Sequence, residues 1–143
     1  MGFVIVWRKR DREIRRRLNA GDDFAGGDLS QARLVAMDLH QRDFRGTNFS
    51  YADLTEADLT GADLREANLH GAYLTGAQLI GANLRGANLS EAYAIATDFG
   101  SAALQGADFT GIIFDQGTTW PGGFKPPFGK VGYWHGRRST AEP

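Results

Sequence analysis

From Phe24 to Phe114 every fifth residue is leucine or phenylalanine, with Ala94 the single exception. A period of five fits neither regular backbone. A helix turns about 100° per residue, so five residues carry a leucine about 140° round and no apolar stripe forms. In a flat strand an odd spacing sends successive leucines to opposite faces. A chain that bends once per unit escapes both failures, because each short side can turn its central Leu or Phe inward. Alanine precedes that residue by two positions without a break from Ala52 to Ala92, and the residue between is most often Asp or Asn. The unit A-(D/N)-(L/F)-x-x runs over residues 22–116 without an insertion. Glycine recurs at its fifth place (Gly61, Gly71, Gly76, Gly81, Gly86), where a bend needs unusual backbone angles. Leu54, Leu59, Leu64, Leu69, Leu74, Leu79, Leu84 and Leu89 form the expected core ladder.

This unit resembles that of the pentapeptide-repeat family. The resemblance implies an all-β chain: a right-handed quadrilateral β-helix of nearly five coils, four units to a coil. The central residue and the one two before it would point inward, and the other three places would face solvent. At about 4.8 Å between stacked strands, such a prism stands roughly 23 Å tall.

Three regions are expected: residues 1–21, a basic segment with a short capping helix; residues 22–116, the repeats; and residues 117–143, a cap and basic tail. "REIRRRLNAGDDF" resembles the helix before the repeats in this family, and Asn19-Ala20-Gly21 is a helix-stop signal. "FDQGTTWPGGFKPPFG" resembles a tail of cyanobacterial members, whose Trp-Pro and Gly-Phe fold over the last coil. In "GFVIVW", Phe3, Ile5 and Trp7 alternate with Val4 and Val6, which reads as a short strand. That strand could cap the first coil, pair with a partner, or lie against a membrane surface beside its Arg-Lys-Arg.

A net charge of −1 hides a segregation. Residues 1–21 carry net +5, residues 22–116 net −9 and residues 117–143 net +3. The basic, aromatic ends could touch phosphate and bases, but the acidic body between them argues against direct nucleic-acid binding. The chain has no cysteine, which excludes disulfides and thiolate metal sites. Its six-residue apolar start precedes its positive charges, the reverse of a secretory signal, so a cytoplasmic protein is expected.

If a coil holds twenty residues, positions twenty apart stack and the sequence becomes a surface map. One face stacks Arg45, Arg65 and Arg85 beside Asp43, Asp63 and Asn83, either a self-neutralising ladder or a strip for an acidic partner. Another stacks Tyr73, Tyr93 and Ile113, with Ile95 beside them and Ile80 on the next face, where the pattern asks for polar residues. Such a patch is a partner or self-association surface, a homodimer included, or else a tyrosine ladder covered by the tail. Among inward places, Ala94 leaves a gap, Met37 fills a wide first coil, and Arg42 calls for a salt bridge with Asp22 one coil below.

No chemistry announces itself. His40 and His70 fall on different faces without a second ligand at metal spacing, and no phosphate loop or nucleophile motif occurs. Catalytic, cofactor and metal sites are therefore all expected to be absent. The reading is a non-enzymatic interaction module or scaffold, a rigid prism docking on a larger assembly, with a photosynthetic one among the candidates. Its contacts would be Tyr73, Tyr93, Ile95, Ile113, the three arginines, and Phe3, Ile5 and Trp7. The alternative is the DNA-mimicking, topoisomerase-binding role that some members of the resembled family play, which an acidic body permits.

Overall fold

The structure is a computed structural model that describes residues 2–126 and 130–131, and the side chains of residues 8–126. One helix, α1 (Gly2–Asn19), precedes a stack of rectangular coils, and two short strands, β1 (Ile113–Phe114) and β2 (Lys130–Val131), lie at the far end.

The coils are set by fourteen parallel backbone pairings between residues twenty apart, from Asp28 with Asn48 to Tyr93 with Ile113. Each paired residue is the Asp/Asn place of its unit. At most pairings the two flanking residues are buried, as Ala62 and Leu64 are, and their side chains build the core; Met37 beside Asp38 and Arg42 beside Asp43 are half-buried. Each coil thus spends four units on four sides, as the twenty-residue map requires.

Between sides the chain turns in four residues. Ala62 donates its N–H to the Leu59 carbonyl (3.0 Å), and the same bond closes nearly all the other corners, as from Ala77 to Leu74 (2.9 Å) and Ala87 to Leu84 (3.0 Å). The third residue of the turn has positive φ, as at Gly61 (+67°) and Gly81 (+66°), but also at Tyr51, Glu56, Glu66 and Glu91. For a non-glycine residue this conformation is strained by about 1–2 kcal/mol, so the stack holds these turns rather than the turn residues themselves.

Asp and Asn between the buried pair serve the corner. Their side-chain oxygen accepts the N–H two residues on, as from Thr60 to Asp58 (2.9 Å), Ser90 to Asn88 (3.0 Å) and Gly100 to Asp98 (2.8 Å). Asp and Asn commonly serve turns in this way, their side chain bonding the backbone two residues on.

Helix α1 closes the first coil. Ile14 and Leu18 are buried against its open end. The backbone edge that a lower coil would have paired is met by side chains instead. Arg15 donates from Nε and Nη2 to the Arg33 carbonyl (3.1 and 2.8 Å), the Arg33 N–H donates to Asp11 (3.4 Å), and Arg10 donates to the Ser30 carbonyl (2.9 Å). An unpaired strand edge invites foreign strands; here it is occupied. The helix stops as its sequence signals. Gly21 takes φ +84°, its N–H reaches the Leu18 carbonyl, and the Asp22 N–H reaches that of Arg17, both at 3.0 Å.

Two expectations fail at this end. Residues 2–7, read as a strand, are helical. Arg8–Leu18 is rich in good helix formers, and extending a nucleated helix adds one hydrogen bond per residue, which outweighs the weaker preference of Val4, Ile5 and Val6. The coil edge that a strand would have paired with is already taken by Arg10, Asp11 and Arg15. The Arg42–Asp22 bridge is also absent among the described residues. Asp22 binds Arg17 (2.9 Å), and Arg42 is only half-buried, so it needs no buried counter-charge.

At the far end the repeat slips by one. Asp98 pairs with Thr119 rather than residue 118, and Asp115 fills the break by accepting the Ala96 and Gly117 N–H groups (both 3.0 Å). Trp120 then lies over the last coil, stacked on Phe99 (4.8 Å between centroids, 9° between planes) and edge-on to Phe109 and Phe114. Phe124 packs on Trp120 in turn (5.3 Å). The Trp-Pro and Gly-Phe of the tail thus fold over the coil, as their resemblance implied. Strand β2 adds a further parallel rung, Lys130 beside Ile113 and Val131 beside Phe114.

Candidate functional site

Tyr73 and Tyr93 stand at Asp/Asn places on one side of the prism. Their rings stack 5.0 Å apart at 8°, and they remain 44% and 39% exposed. Neither can make the corner bond that Asp or Asn makes there, so each gives up a local hydrogen bond worth about 0.5–1.5 kcal/mol. Offset stacking returns a comparable amount, about 0.5–1.5 kcal/mol. Folding alone therefore gains little from tyrosine at these places.

Ile113 continues this ladder as the backbone partner of Tyr93 and is half-buried, with β2 beside it. Ile95 is half-buried and Ile80 is exposed. The ladder reading of the tyrosines and the placement of a C-terminal segment next to Ile113 are both observed, and the tyrosine rings still face solvent.

The sequence reading passed over Tyr51. Half exposed (51%), it sits at the turn preceding this side, and its ring overlies Gly71: a Cβ there would come within 2.5 Å of Tyr51 Cε1. The ring also meets His70 edge-on (5.3 Å), its hydroxyl lies 3.0 Å from His70 Nε2, and His70 Nδ1 lies 2.8 Å from Ser90 Oγ. The signal was available in the glycine twenty residues later, the space into which the ring folds.

The arginine strip divides. Arg45 grips Asp43 with two nitrogens (Nη2 to Oδ2 2.6 Å, Nε to Oδ1 2.9 Å), and Arg65 grips Asp63 in the same way. The Arg45 hydrogen bond holds the Asp43 carboxyl down to about 2. These two arginines form the self-neutralising ladder. Arg85 faces Asn83 and has no carboxylate within salt-bridge distance among the described residues.

His40, expected to lack a second ligand, lies with Asp38 and Asp58 so that their candidate ligand atoms fall within 4.8 Å of one another. Asp38 and Asp58 are paired across successive coils, a proximity that the spacing on one coil hides. His40 Nδ1 is hydrogen-bonded to Asp38, which raises the imidazole's proton affinity and lowers that of the carboxyl. Asp38 and His40 are exposed and Asp58 is half-buried. Phe3, Ile5 and Trp7 lie on α1, but their side chains fall outside the described residues.

No helix among the described residues is long and apolar enough to cross a membrane. A concavity near the far end, about 900 Å³, is lined by Leu104, Phe109 and Phe124, with Asp108 and Lys125 also in its lining. Thr110, also in its lining, donates its hydroxyl to Asp108 (2.6 Å) and its N–H to the same oxygen (2.9 Å), a corner bond like those elsewhere in the stack.

Stacked five-residue sides around a leucine ladder define a β-helix of pentapeptide repeats. Residues 43–79 and 72–111 match the family "Pentapeptide repeats" in eight copies. The chain is 36% identical to a pentapeptide repeat protein from Nostoc Pcc 7120, over 68% of this chain and 77% of that one, with a TM-score of 0.46. It is 34% identical to the pentapeptide repeat protein Rfr23 from the cyanobacterium Cyanothece 51142, over 68% of this chain, with a TM-score of 0.47; the match spans 63% of that chain, less than two thirds of its length. To a pentapeptide repeat protein from the Arabidopsis thaliana thylakoid lumen the identity is 36%, over 66% of each chain, with a TM-score of 0.39. No curated protein matches the chain. The chain belongs to the pentapeptide-repeat family.

Proposed function

We propose that this protein is a non-enzymatic interaction module, a right-handed quadrilateral prism that presents the Tyr73–Tyr93 side to a protein partner within a larger assembly. The observation that carries the reading is the exposed tyrosine stack at two places where Asp or Asn would serve the corner better. Tyrosine gives broad, rigid contact area at low entropic cost and is enriched where binding energy concentrates. Tyr51, Ile95 and Ile113 extend the surface along its edges. The family consists as a rule of structural and interaction proteins, which supports the non-enzymatic part. The cyanobacterial look of the Trp-Pro tail keeps a photosynthetic assembly among the partner classes.

The DNA-mimic alternative draws less support. A DNA-like rod needs free negative charge, and Asp43 and Asp63 are bound by Arg45 and Arg65. The test of the favoured reading is affinity purification from source lysate with wild type beside a Tyr73→Asn/Tyr93→Asn variant, after both are shown to be folded.

A further inference from the structure

Two of the pairings between successive coils set aspartate on aspartate: Asp43 with Asp63, and Asp38 with Asp58. Like charges placed directly opposite one another oppose strand pairing, so each stack needs compensation. The first has it. Arg45 and Arg65, two places after each aspartate, grip both carboxylates, and Arg45 also reaches across to Asp63 (3.9 Å). At the second stack the same places hold His40 and Thr60. No arginine or lysine, Arg42 included, comes within salt-bridge distance of Asp38 or Asp58 among the described residues. The prism thus carries two like carboxylate stacks on neighbouring sides, and arginine neutralises only one of them.

What faces the second stack is an imidazole. His40 Nδ1 is hydrogen-bonded to the Asp38 carboxylate, and one ligand atom each from Asp38, His40 and Asp58 lie within 4.8 Å of one another. The backbone holds both carboxylates in place. Asp58 Oδ1 accepts the Thr60 N–H (2.9 Å) and Asp38 Oδ1 accepts the His40 N–H (3.3 Å), while neither Oδ2 has a hydrogen-bond partner among the described residues. Metal bonds to imidazole nitrogen and carboxylate oxygen are about 2.0–2.2 Å long, which sets two donors of one ion roughly 3–4 Å apart. A span under 4.8 Å closes by small side-chain rotations, and the exposure of Asp38 and His40 leaves room for water to complete the shell.

We propose that Asp38, His40 and Asp58 bind one zinc-class divalent cation, which clamps two successive coils together. Two carboxylates and an imidazole suit such an ion in charge and ligand type, whereas magnesium and calcium bind through oxygen alone. The ion replaces the proton between His40 and Asp38 and neutralises the stacked carboxylates, the part that two arginines play on the neighbouring side. Because the two aspartates belong to different coils, only the folded stack assembles the site, and binding therefore stabilises the fold.

Calorimetric titration of the untagged, chelator-treated full chain with zinc chloride tests this, with thermal unfolding as the second readout. One ion is expected per chain, with a melting temperature that rises with zinc and does not rise with magnesium at the same concentration. His40→Gln and Asp58→Asn should each weaken zinc binding at least about tenfold, the loss that even the outer partners of metal ligands produce. Asn keeps the corner bond, as Asn48 does, so without metal Asp58→Asn should melt level with or above wild type, and with zinc below it. His70→Gln and His135→Gln should bind as wild type does. Absence of binding at millimolar zinc, or an affinity unchanged in His40→Gln, overturns the site. An equal response to magnesium also overturns it, assigning the group to a general acidic surface.

Discussion

Tyr73 and Tyr93, twenty residues apart in the chain, lie ring over ring 5.0 Å apart and 8° from parallel on the surface of the prism. The stack is a local arrangement with a local energetic balance. Tyr73→Asn exchanges about 0.5–1.5 kcal/mol of ring stacking for a corner hydrogen bond of about the same size. Its thermal stability should therefore stay within about 1 kcal/mol of wild type, measured by urea or thermal unfolding. A loss several times larger would make the tyrosines structural members.

Asp43 and Arg45 give a pH prediction. The Asp43 carboxyl is held at about 2, below its ordinary 3.8, first by the Arg45 hydrogen bond and then by the Arg45 backbone N–H. A depressed acid stabilises the fold when ionised, so its contribution is complete above about pH 4. It is lost as pH falls through about 2. Carboxyl NMR titration should show the low midpoint, and Arg45→Gln should return it towards the ordinary range. A midpoint unmoved by Arg45→Gln would show that the pair does not form in solution.

Gly71 and Gly81 separate backbone strain from crowding. Both have positive φ (+62° and +66°), but a Cβ at Gly71 meets the Tyr51 ring, whereas one at Gly81 meets nothing within 4 Å. Each alanine variant should lose about 1–2 kcal/mol to the left-handed backbone. Gly71→Ala should in addition displace Tyr51 from His70, visible as a changed Tyr51 ring environment by NMR. Equal spectra and equal losses would place the ring elsewhere.

Leu18 is fully buried under the first coil. Leu18→Ala should cost about 2–5 kcal/mol and raise amide exchange at Leu29 and Leu34 before the middle coils respond. Uniform loosening of the whole stack would mean that α1 is not a local cap.

The period of five carried most of the architecture because one steric requirement, an inward residue on every short side, is repeated without interruption. The Trp-Pro cap was equally legible, through the resemblance of the tail. What escaped depends on relations that a repeat cannot encode. "GFVIVW" reads as a strand locally and becomes helix because Arg8–Leu18 is already helical and the coil edge is taken. Asp22 has two cations within reach, and only the path of the helix C-terminus favours Arg17 over Arg42. His40 meets Asp58 across coils, where only the corner geometry aims their side chains together.

The most direct measurement is paired affinity purification from source lysate with wild type and a folded Tyr73→Asn/Tyr93→Asn variant, read by quantitative mass spectrometry. The interaction reading predicts that the partner enriched by wild type is lost, or reduced at least tenfold, with the variant, as expected when two aromatic anchors each worth about 1–2 kcal/mol are removed. Recovery of the same partner at the same yield would contradict it and leave the tyrosine stack as surface structure alone.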